Sequence, residues 1–134
     1  MRFFGYTRRV VIDTNILIAS LLSPNGTAAQ FMSDVLDEKY EVVITESIIS
    51  EYKDVMSRPR FQIDEDIAKR ILDWLYAHAL FVEVDEEDYP KGEMPDAKDA
   101  PFYVAARCTG ALLVTRNIKH YPVTEWRTMI WELL

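Results

Sequence analysis

Four oxygen-bearing side chains hold positions from which they could share one site, although they are far apart in the sequence. Asp13 and Asn117 each directly follow a short apolar run that predicts a buried strand, and Glu51 and Asp99 lie on predicted helices. Taken singly, Asp13 also suits a helix N-cap and Asn117 a turn. No cysteine or histidine belongs to the set, and oxygen ligands alone suit a hard cation such as Mg²⁺ or Mn²⁺. The pattern therefore predicts a divalent-metal site.

Helical geometry distinguishes Glu51 from Glu46, the other acid on the first half of the same predicted helix. At about 100° per residue, the apolar stripe of this helix covers roughly 120° of its circumference. Glu51 lies at the border of the stripe, whereas Glu46 faces solvent in the first turn, where an acid favours the helix dipole. We therefore select Glu51 as the candidate ligand; the alternative is a solvated residue at the rim of the buried face.

Asp99 falls in the middle of the inward-facing stripe of a helix that we predict from about residue 99 to residue 109. A buried carboxylate without a partner is costly, so we expect Asp99 either to cap this helix or to bind a cation. Asp96 lies three residues earlier in a loop. Its carboxylate is either a second ligand at the same site or a solvated charge.

The elements that must position these side chains alternate between short β-branched runs and longer helical stretches. Such alternation predicts an α/β fold with a mainly parallel sheet covered on both faces. Right-handed crossovers then give a three-layer α/β/α domain with four to five strands, which we expect to include all of residues 1–134. In such a sheet, ligands bind beyond the carboxyl ends of the strands. The predicted strands contain residues 10–12, 42–44, 81–84, 111–114 and, at an edge, 129–131.

Three residues mark boundaries of the predicted helices. Thr45 and Asp64 carry side chains that cap helix N-termini, and Gly110 suits the end of a helix. The predicted helices cover about residues 16–22, 27–38, 45–58, 64–78 and 99–109.

The composition fits one globular domain and excludes several classes of protein. Of the 134 residues, 49% are apolar, and no apolar run approaches the roughly 20 residues that cross a bilayer. The N-terminus lacks the apolar core of a signal peptide, so we expect a cytoplasmic protein without a membrane partner. The single cysteine, Cys108, excludes an internal disulfide and a thiolate zinc cluster.

The net charge of −7 is concentrated in one segment. Residues 83–99 contain 2 basic and 8 acidic side chains, net −6, whereas residues 100–134 contain 4 basic and 2 acidic ones, net +2. A chain this acidic binds nucleic acid poorly unless a metal ion or a basic partner neutralises charge locally. The arginines that could hold an RNA backbone are Arg8, Arg9, Arg58, Arg60 and Arg116.

Four segments, in order, resemble the sequence motifs of PIN-domain nucleases. The resemblance extends across nearly the whole chain, and the sequence is similar to prokaryotic PIN proteins regarded as toxins of toxin–antitoxin pairs. The four segments are residues 10–15 (VVIDTN), 45–52 (TESIISEY), 96–106 (DAKDAPFYVAA) and 113–117 (LVTRN).

This resemblance implies a metal-dependent ribonuclease that hydrolyses RNA phosphodiester bonds with Mg²⁺ or Mn²⁺. It assigns Asp13, Glu51 and Asp99 as acidic metal ligands and catalytic residues, with Asn117 in the fourth catalytic position. Many members of the family carry Asp there, so the neutral Asn117 removes charge that a second metal would need. The resemblance further implies a homodimer and a cognate antitoxin protein encoded beside the gene.

Two polar residues beside the acids are candidates for a supporting role. Asn15 and Thr115 could orient the ligands or a substrate phosphate. Their structural alternative is ordinary hydrogen bonding at a helix start and in a turn.

Two other functions remain open. A catalytically degenerate PIN-like module would bind RNA or protein without cutting it, and Asn117 is the feature that favours this reading. A phospho-acceptor signalling domain has a similar length and architecture, but it needs an acidic pair after the first strand, where Asp13 stands alone.

Overall fold

A parallel sheet of five strands forms the centre of the structure, a computed structural model that describes residues 8–92 and 94–133. The strands are β1 (Arg8–Ile12), β2 (Tyr40–Ile44), β3 (Leu80–Phe81), β4 (Leu112–Thr115) and β5 (Arg127–Met129). Their spatial order is β3-β2-β1-β4-β5, and every neighbouring pair is parallel. The central strand β1 pairs through Val10 with Val42 on one side and with Leu112 on the other.

Five α-helices cover this sheet in the described part of the chain, which confirms the predicted three-layer α/β/α architecture. They are α1 (Thr14–Leu22), α2 (Thr27–Leu36), α3 (Glu46–Met56), α4 (Glu65–His78) and α5 (Ala100–Thr109). None of these helices is long and apolar enough to cross a membrane. Short 3₁₀ turns lie at Pro59–Phe61, Glu86–Asp88, Ala97–Asp99, Ile118–His120 and Ile130–Leu133.

Local signals in the sequence set three of the helix boundaries, as predicted. The Thr45 hydroxyl accepts a hydrogen bond of 3.2 Å from the Ile48 N–H at the start of α3. The Asp64 carboxylate accepts one of 2.7 Å from the Asp66 N–H at the start of α4. Gly110 ends α5 with a φ of +71°, a left-handed conformation that glycine adopts without strain. Side-chain caps and one glycine therefore explain where these helices begin and end.

The hydrophobic core fixes the carboxyl edge of the sheet. In β1 and β4, Val10, Val11, Leu113 and Val114 have no exposed surface. Because β1 is buried up to its last residue, Asp13 is held at the edge of the core rather than in solvent, and its N–H donates to the Val114 carbonyl at 2.9 Å. The apolar face of helix α3 is buried, and this helix contacts α1, α4 and α5.

Several predicted boundaries differ from the structure; for example, the strand expected over residues 111–114 is Leu112–Thr115, and the helix expected over residues 27–38 ends at Leu36. The strand expected over residues 81–84 ends at Phe81, since Ile44, its partner there, is the last residue of β2. The edge strand expected over residues 129–131 is β5, which ends at Met129 because Met129 pairs with Thr115, the last residue of β4. The helix expected from residue 99 begins one residue later. Strands β3 and β5 therefore each end where the neighbouring strand ends.

Candidate active site

Asp13 is the most deeply buried acid of the candidate site, with 6% of its surface exposed. Its Oδ2 accepts hydrogen bonds from the Thr115 hydroxyl at 2.7 Å and from the Tyr121 hydroxyl at 2.9 Å. The Asn15 side-chain amide lies 3.5 Å from the same oxygen. Asp13 precedes α1 but makes no side-chain capping bond to it, so helix capping does not account for this carboxylate.

Burial is the main influence on the ionisation of Asp13. It raises the pKa of Asp13 above its ordinary value, while hydrogen bonds from Thr115 and Tyr121 act in the opposite direction. Burial and the negative charge of Asp13 also raise the pKa of the Tyr121 phenol, which therefore stays a hydrogen-bond donor. The protein thus stabilises the charged carboxylate with donors, but not enough to offset its removal from water.

Glu51 is half-buried on α3, whereas Glu46 is exposed, as the helical geometry predicted. The Thr14 hydroxyl donates a hydrogen bond to Oε2 of Glu51. Thr14 directly follows Asp13, so the start of α1 both carries Asp13 and orients the Glu51 carboxylate. Burial raises the pKa of Glu51, the hydrogen bond from Thr14 lowers it, and the charge of Asp13 raises it again. Glu51 and Asp13 therefore interact electrostatically at the same edge.

Asp99 is the acid without a hydrogen-bond donor. It ends the 3₁₀ turn before α5, makes no capping bond to that helix, and its buried Oδ2 has no hydrogen-bond partner in the described part of the chain. Nδ1 of His120 lies 3.4 Å from this oxygen, a charge contact if the imidazole is protonated. Burial and then the charge of Asp13 raise the pKa of Asp99 to about 6, against the lowering effect of His120. The prediction that the Asp99 side chain caps this helix is therefore wrong.

Two predicted residues are exposed and make no hydrogen bond to the three acids in the described part of the chain, although the charge of Asp96 also raises the pKa of Asp99. The exposed Asp96 accepts a hydrogen bond of 2.9 Å from the Lys98 N–H and so caps its own turn, which agrees with the solvated alternative. The side chain of Asn117 is exposed as well; its backbone N–H donates to the Thr115 hydroxyl at 2.9 Å. Thr115 therefore combines its turn hydrogen bond with the predicted contact to a carboxylate.

The oxygen atoms of the three acids fit a hydrated divalent cation better than a closed protein cage. Across residues 8–92 and 94–133, no group of three or more His, Cys, Asp or Glu side chains is close enough to enclose a metal ion as it stands. Even so, the charge of Asp13 raises the pKa of both Glu51 and Asp99, so the three acids share one electrostatic site. Mg²⁺ commonly keeps several waters and uses one or two carboxylates. The unpartnered, buried Oδ2 of Asp99 and the all-oxygen acids fit such an ion.

Sequence reasoning missed two residues that hold the acids. Thr14 lies inside the first motif, but nothing in the sequence pairs it with Glu51, 37 residues away. Tyr121 reaches Asp13 across 108 residues, and the pattern around it predicts only an apolar residue after a strand. A tertiary hydrogen bond of this kind leaves no periodic signal in a single sequence.

Comparison with known proteins identifies the family and agrees with the fold. A family model described as PIN domain matches residues 9–119. Among solved structures, the chain is similar to a chain of VapBC2 from Rickettsia felis bound to a DNA fragment from its promoter, with a TM-score of 0.58 and 16% identity. The alignment covers 89% of this chain and 99% of that one, and it shows a shared fold. No curated protein sequence gives a significant match.

Proposed function

The chain belongs to the PIN domain family, and from this premise we propose that it is a divalent-metal-dependent ribonuclease that hydrolyses RNA phosphodiester bonds. The observation that supports the proposal is the electrostatic interaction of Asp13 with both Glu51 and Asp99 at the carboxyl edge of the sheet, where Asp99 has a buried oxygen without a donor among the described residues. An uncompensated carboxylate oxygen beside two further acids needs a positive charge.

Asp13, Glu51 and Asp99 are the residues that would hold Mg²⁺ or Mn²⁺. Such an ion lowers the pKa of a bound water and withdraws charge from a phosphate. The described residues supply the orientation: Thr115 and Asn15 hold the carboxylate of Asp13, and Thr14 holds that of Glu51. The fourth catalytic position, Asn117, stays a prediction, as does the ligand role of Asp96.

Three of the basic residues differ in their place in the fold relative to the acids. Arg9 lies near the start of β1, at the edge opposite the acids, and pairs with Glu41 at 2.8 Å. Arg116 and Lys119 are exposed in the turn after β4, at the same edge as Asp13. We therefore assign phosphate-backbone contacts to Arg116 and Lys119 and none to Arg9. This placement supplies cations next to the acids in a chain whose net charge is −7.

The protein also serves, in this proposal, as the toxin of a toxin–antitoxin pair. The fold similarity to a chain of a VapBC2 complex supports this assignment. Its partner would be a cognate antitoxin encoded beside it, and the acidic run Asp85-Glu86-Glu87-Asp88 is complementary to a basic antitoxin segment. A cytoplasmic homodimer built from one domain per chain completes the proposal.

RNA cleavage tests this function. Purified protein is incubated with structured and unstructured RNAs in Mn²⁺, in Mg²⁺ and in EDTA, with Asp99→Asn as the matched control. We expect single-stranded RNA to be cleaved only with the metal and only by the wild type. Absence of metal-dependent products from every RNA, with RNA binding intact, would instead favour the catalytically degenerate module that Asn117 suggests.

A further inference from the structure

The side-chain hydrogen bonds to Asp13 all converge on one of its two carboxylate oxygens. The hydroxyls of Thr115 and Tyr121 and the amide of Asn15 reach Oδ2, at 2.7, 2.9 and 3.5 Å. The backbone N–H groups of Asn15 and Thr14 also act on this carboxylate and lower the pKa of Asp13. A carboxylate oxygen offers about two lone-pair sites, so Thr115 and Tyr121 suffice to occupy Oδ2. Within the described residues, the side-chain donors therefore fix Oδ2 and leave Oδ1 without a side-chain donor.

Tyr121 is itself held rigidly. It is 2% exposed, and its carbonyl accepts a hydrogen bond of 2.8 Å from Nη1 of Arg127. The same nitrogen donates to the Ile118 carbonyl at 3.0 Å, which fixes the turn Ile118–His120 against β5. His120, the preceding residue, lies 3.4 Å from Oδ2 of Asp99. One anchored turn thus contacts both Asp13 and Asp99.

We propose that Tyr121 is a positioning residue that turns the Asp13 carboxylate so that Oδ2 stays bonded to the protein and Oδ1 faces a divalent cation. This inference rests on the proposed metal-dependent function. Residues that hydrogen-bond to a metal-ligating carboxylate commonly change metal affinity 10- to 100-fold when they are mutated. The phenol acts at a distance from the cation, through the orientation of Asp13.

Tyr52 provides a matched control. It is also 2% exposed, but its hydroxyl donates to the backbone carbonyl of Ile12 and to no carboxylate. Tyr52→Phe therefore removes a buried phenol hydrogen bond beside the site without releasing an acid. A purely structural role for Tyr121 would make Tyr121→Phe and Tyr52→Phe behave alike.

The first arm of the test is a calorimetric titration of wild type, Tyr121→Phe and Tyr52→Phe with Mn²⁺. We expect about 10- to 100-fold weaker Mn²⁺ binding for Tyr121→Phe, with cleavage recovering as Mn²⁺ is raised to saturation. Tyr52→Phe should bind Mn²⁺ within about threefold of wild type. Equal affinities for wild type and Tyr121→Phe, or equal losses in both Tyr variants, would overturn the positioning role.

The second arm works without metal and separates this inference from the proposed function. In EDTA, melting temperatures are measured for wild type, Tyr121→Phe, Asp13→Ala and the variant that combines the two substitutions. The same measurements are made for Tyr52→Phe and its combination with Asp13→Ala. The shifts should deviate clearly from additivity for the Tyr121 pair, because these side chains touch, and deviate less for the Tyr52 pair, because the Tyr52 hydroxyl donates to the backbone carbonyl of Ile12. Additive shifts for both pairs would overturn the contact, while a wild type that fails to bind Mn²⁺ would overturn the metal site itself.

Discussion

Asp13 and Asp99 lie at the same edge of one sheet, yet the protein treats their carboxylates differently. Asp13 is surrounded by donors, with hydroxyls of Thr115 and Tyr121 on one oxygen. Among the described residues, Asp99 has a buried oxygen without a hydrogen-bond donor, and the His120 imidazole lies 3.4 Å from it. Burial raises the pKa of both acids. At Asp13 the hydrogen bonds partly offset the effect of burial, whereas the described residues give the buried oxygen of Asp99 no such donor.

This difference indicates how the two acids divide the work. A carboxylate that is held by donors defines a fixed direction for a ligand atom, and we propose this contribution for Asp13. A buried carboxylate oxygen without donors gains most when a cation binds, and we propose this contribution for Asp99. We therefore expect substitutions of Asp13 to lower the stability of the metal-free protein. Substitutions of Asp99 should mainly change the properties of the metal-bound protein.

The largest effect is expected for Asp99→Asn. A bound cation supplies several kcal/mol of charge stabilisation to the transition state, so losing this ligand should lower RNA cleavage by about 100-fold or more. Thermal melts should show that Mn²⁺ stabilises the wild type by ligand linkage and has little effect on the variant. If Asp99→Asn retained the full Mn²⁺-induced shift, the division between the two acids would be wrong.

A second contrast lies on α3. Glu51 is half-buried and bonded to Thr14, whereas Glu46 is exposed in the first turn of the same helix. Glu51→Gln should therefore lower the rate of RNA cleavage by about 10-fold or more, and Glu46→Gln by less than about twofold. Initial rates at saturating Mn²⁺ measure both. Equal losses would remove Glu51 from the ligand set.

In the metal-free protein, substituting Asp13 should lower the free energy of unfolding more than substituting Asp99. Asp13→Ala leaves the buried hydroxyls of Thr115 and Tyr121 without their acceptor, which should lower the free energy of unfolding by about 1–3 kcal/mol. Asp99→Ala removes a buried carboxylate that has no donor, so the free energy of unfolding should stay level or rise. Denaturant titrations in EDTA give both values. A larger loss for Asp99→Ala than for Asp13→Ala would contradict the comparison.

The smallest expected effect is a change in the pH dependence of stability. The pKa of Asp99 is about 6 in the folded protein against 3.8 ordinarily, so between these values the folded state holds a proton that the unfolded state releases. The contribution of Asp99 to stability is therefore complete below about pH 4 and is lost as the pH rises through 6. In EDTA, unfolding free energies from pH 5 to 7 should fall more steeply for wild type than for Asp99→Asn.

Parallel slopes for the two proteins would show that Asp99 ionises normally in the folded state. Adding Mn²⁺ provides the control, because a cation favours the charged carboxylate and should weaken the pH dependence of the wild type. The effect of Mn²⁺ on the slope of Asp99→Asn should be smaller.

Much of this fold could be predicted because its signals are local. Thr45, Asp64 and Gly110 mark helix ends through bonds or backbone angles within a few residues, and alternating strands and helices predict the parallel sheet. Glu51 could be chosen over Glu46 from the sequence because a helix places residues at fixed angles, and these angles put Glu51 beside the apolar stripe and Glu46 on the solvent side.

The rest of the site depends on contacts that a single sequence does not encode locally. The bond from Tyr121 to Asp13 joins residues 108 positions apart, so no spacing rule indicates it. The outward side chain of Asn117 depends on the turn Ile118–His120, and the absence of a capping bond at Asp99 depends on the 3₁₀ turn before α5. Strand ends were misplaced for a similar reason, since each is decided by the length of its neighbour.

Anomalous X-ray scattering from crystals grown at saturating Mn²⁺ tests the central claim most directly, since it locates the ion without reference to activity. We predict a strong anomalous peak within bonding distance of Oδ1 of Asp13 and Oδ2 of Asp99, and its loss in Asp99→Asn crystals grown in the same way. No peak at this edge of the sheet in the wild type, or an unchanged peak in the variant, would contradict the account.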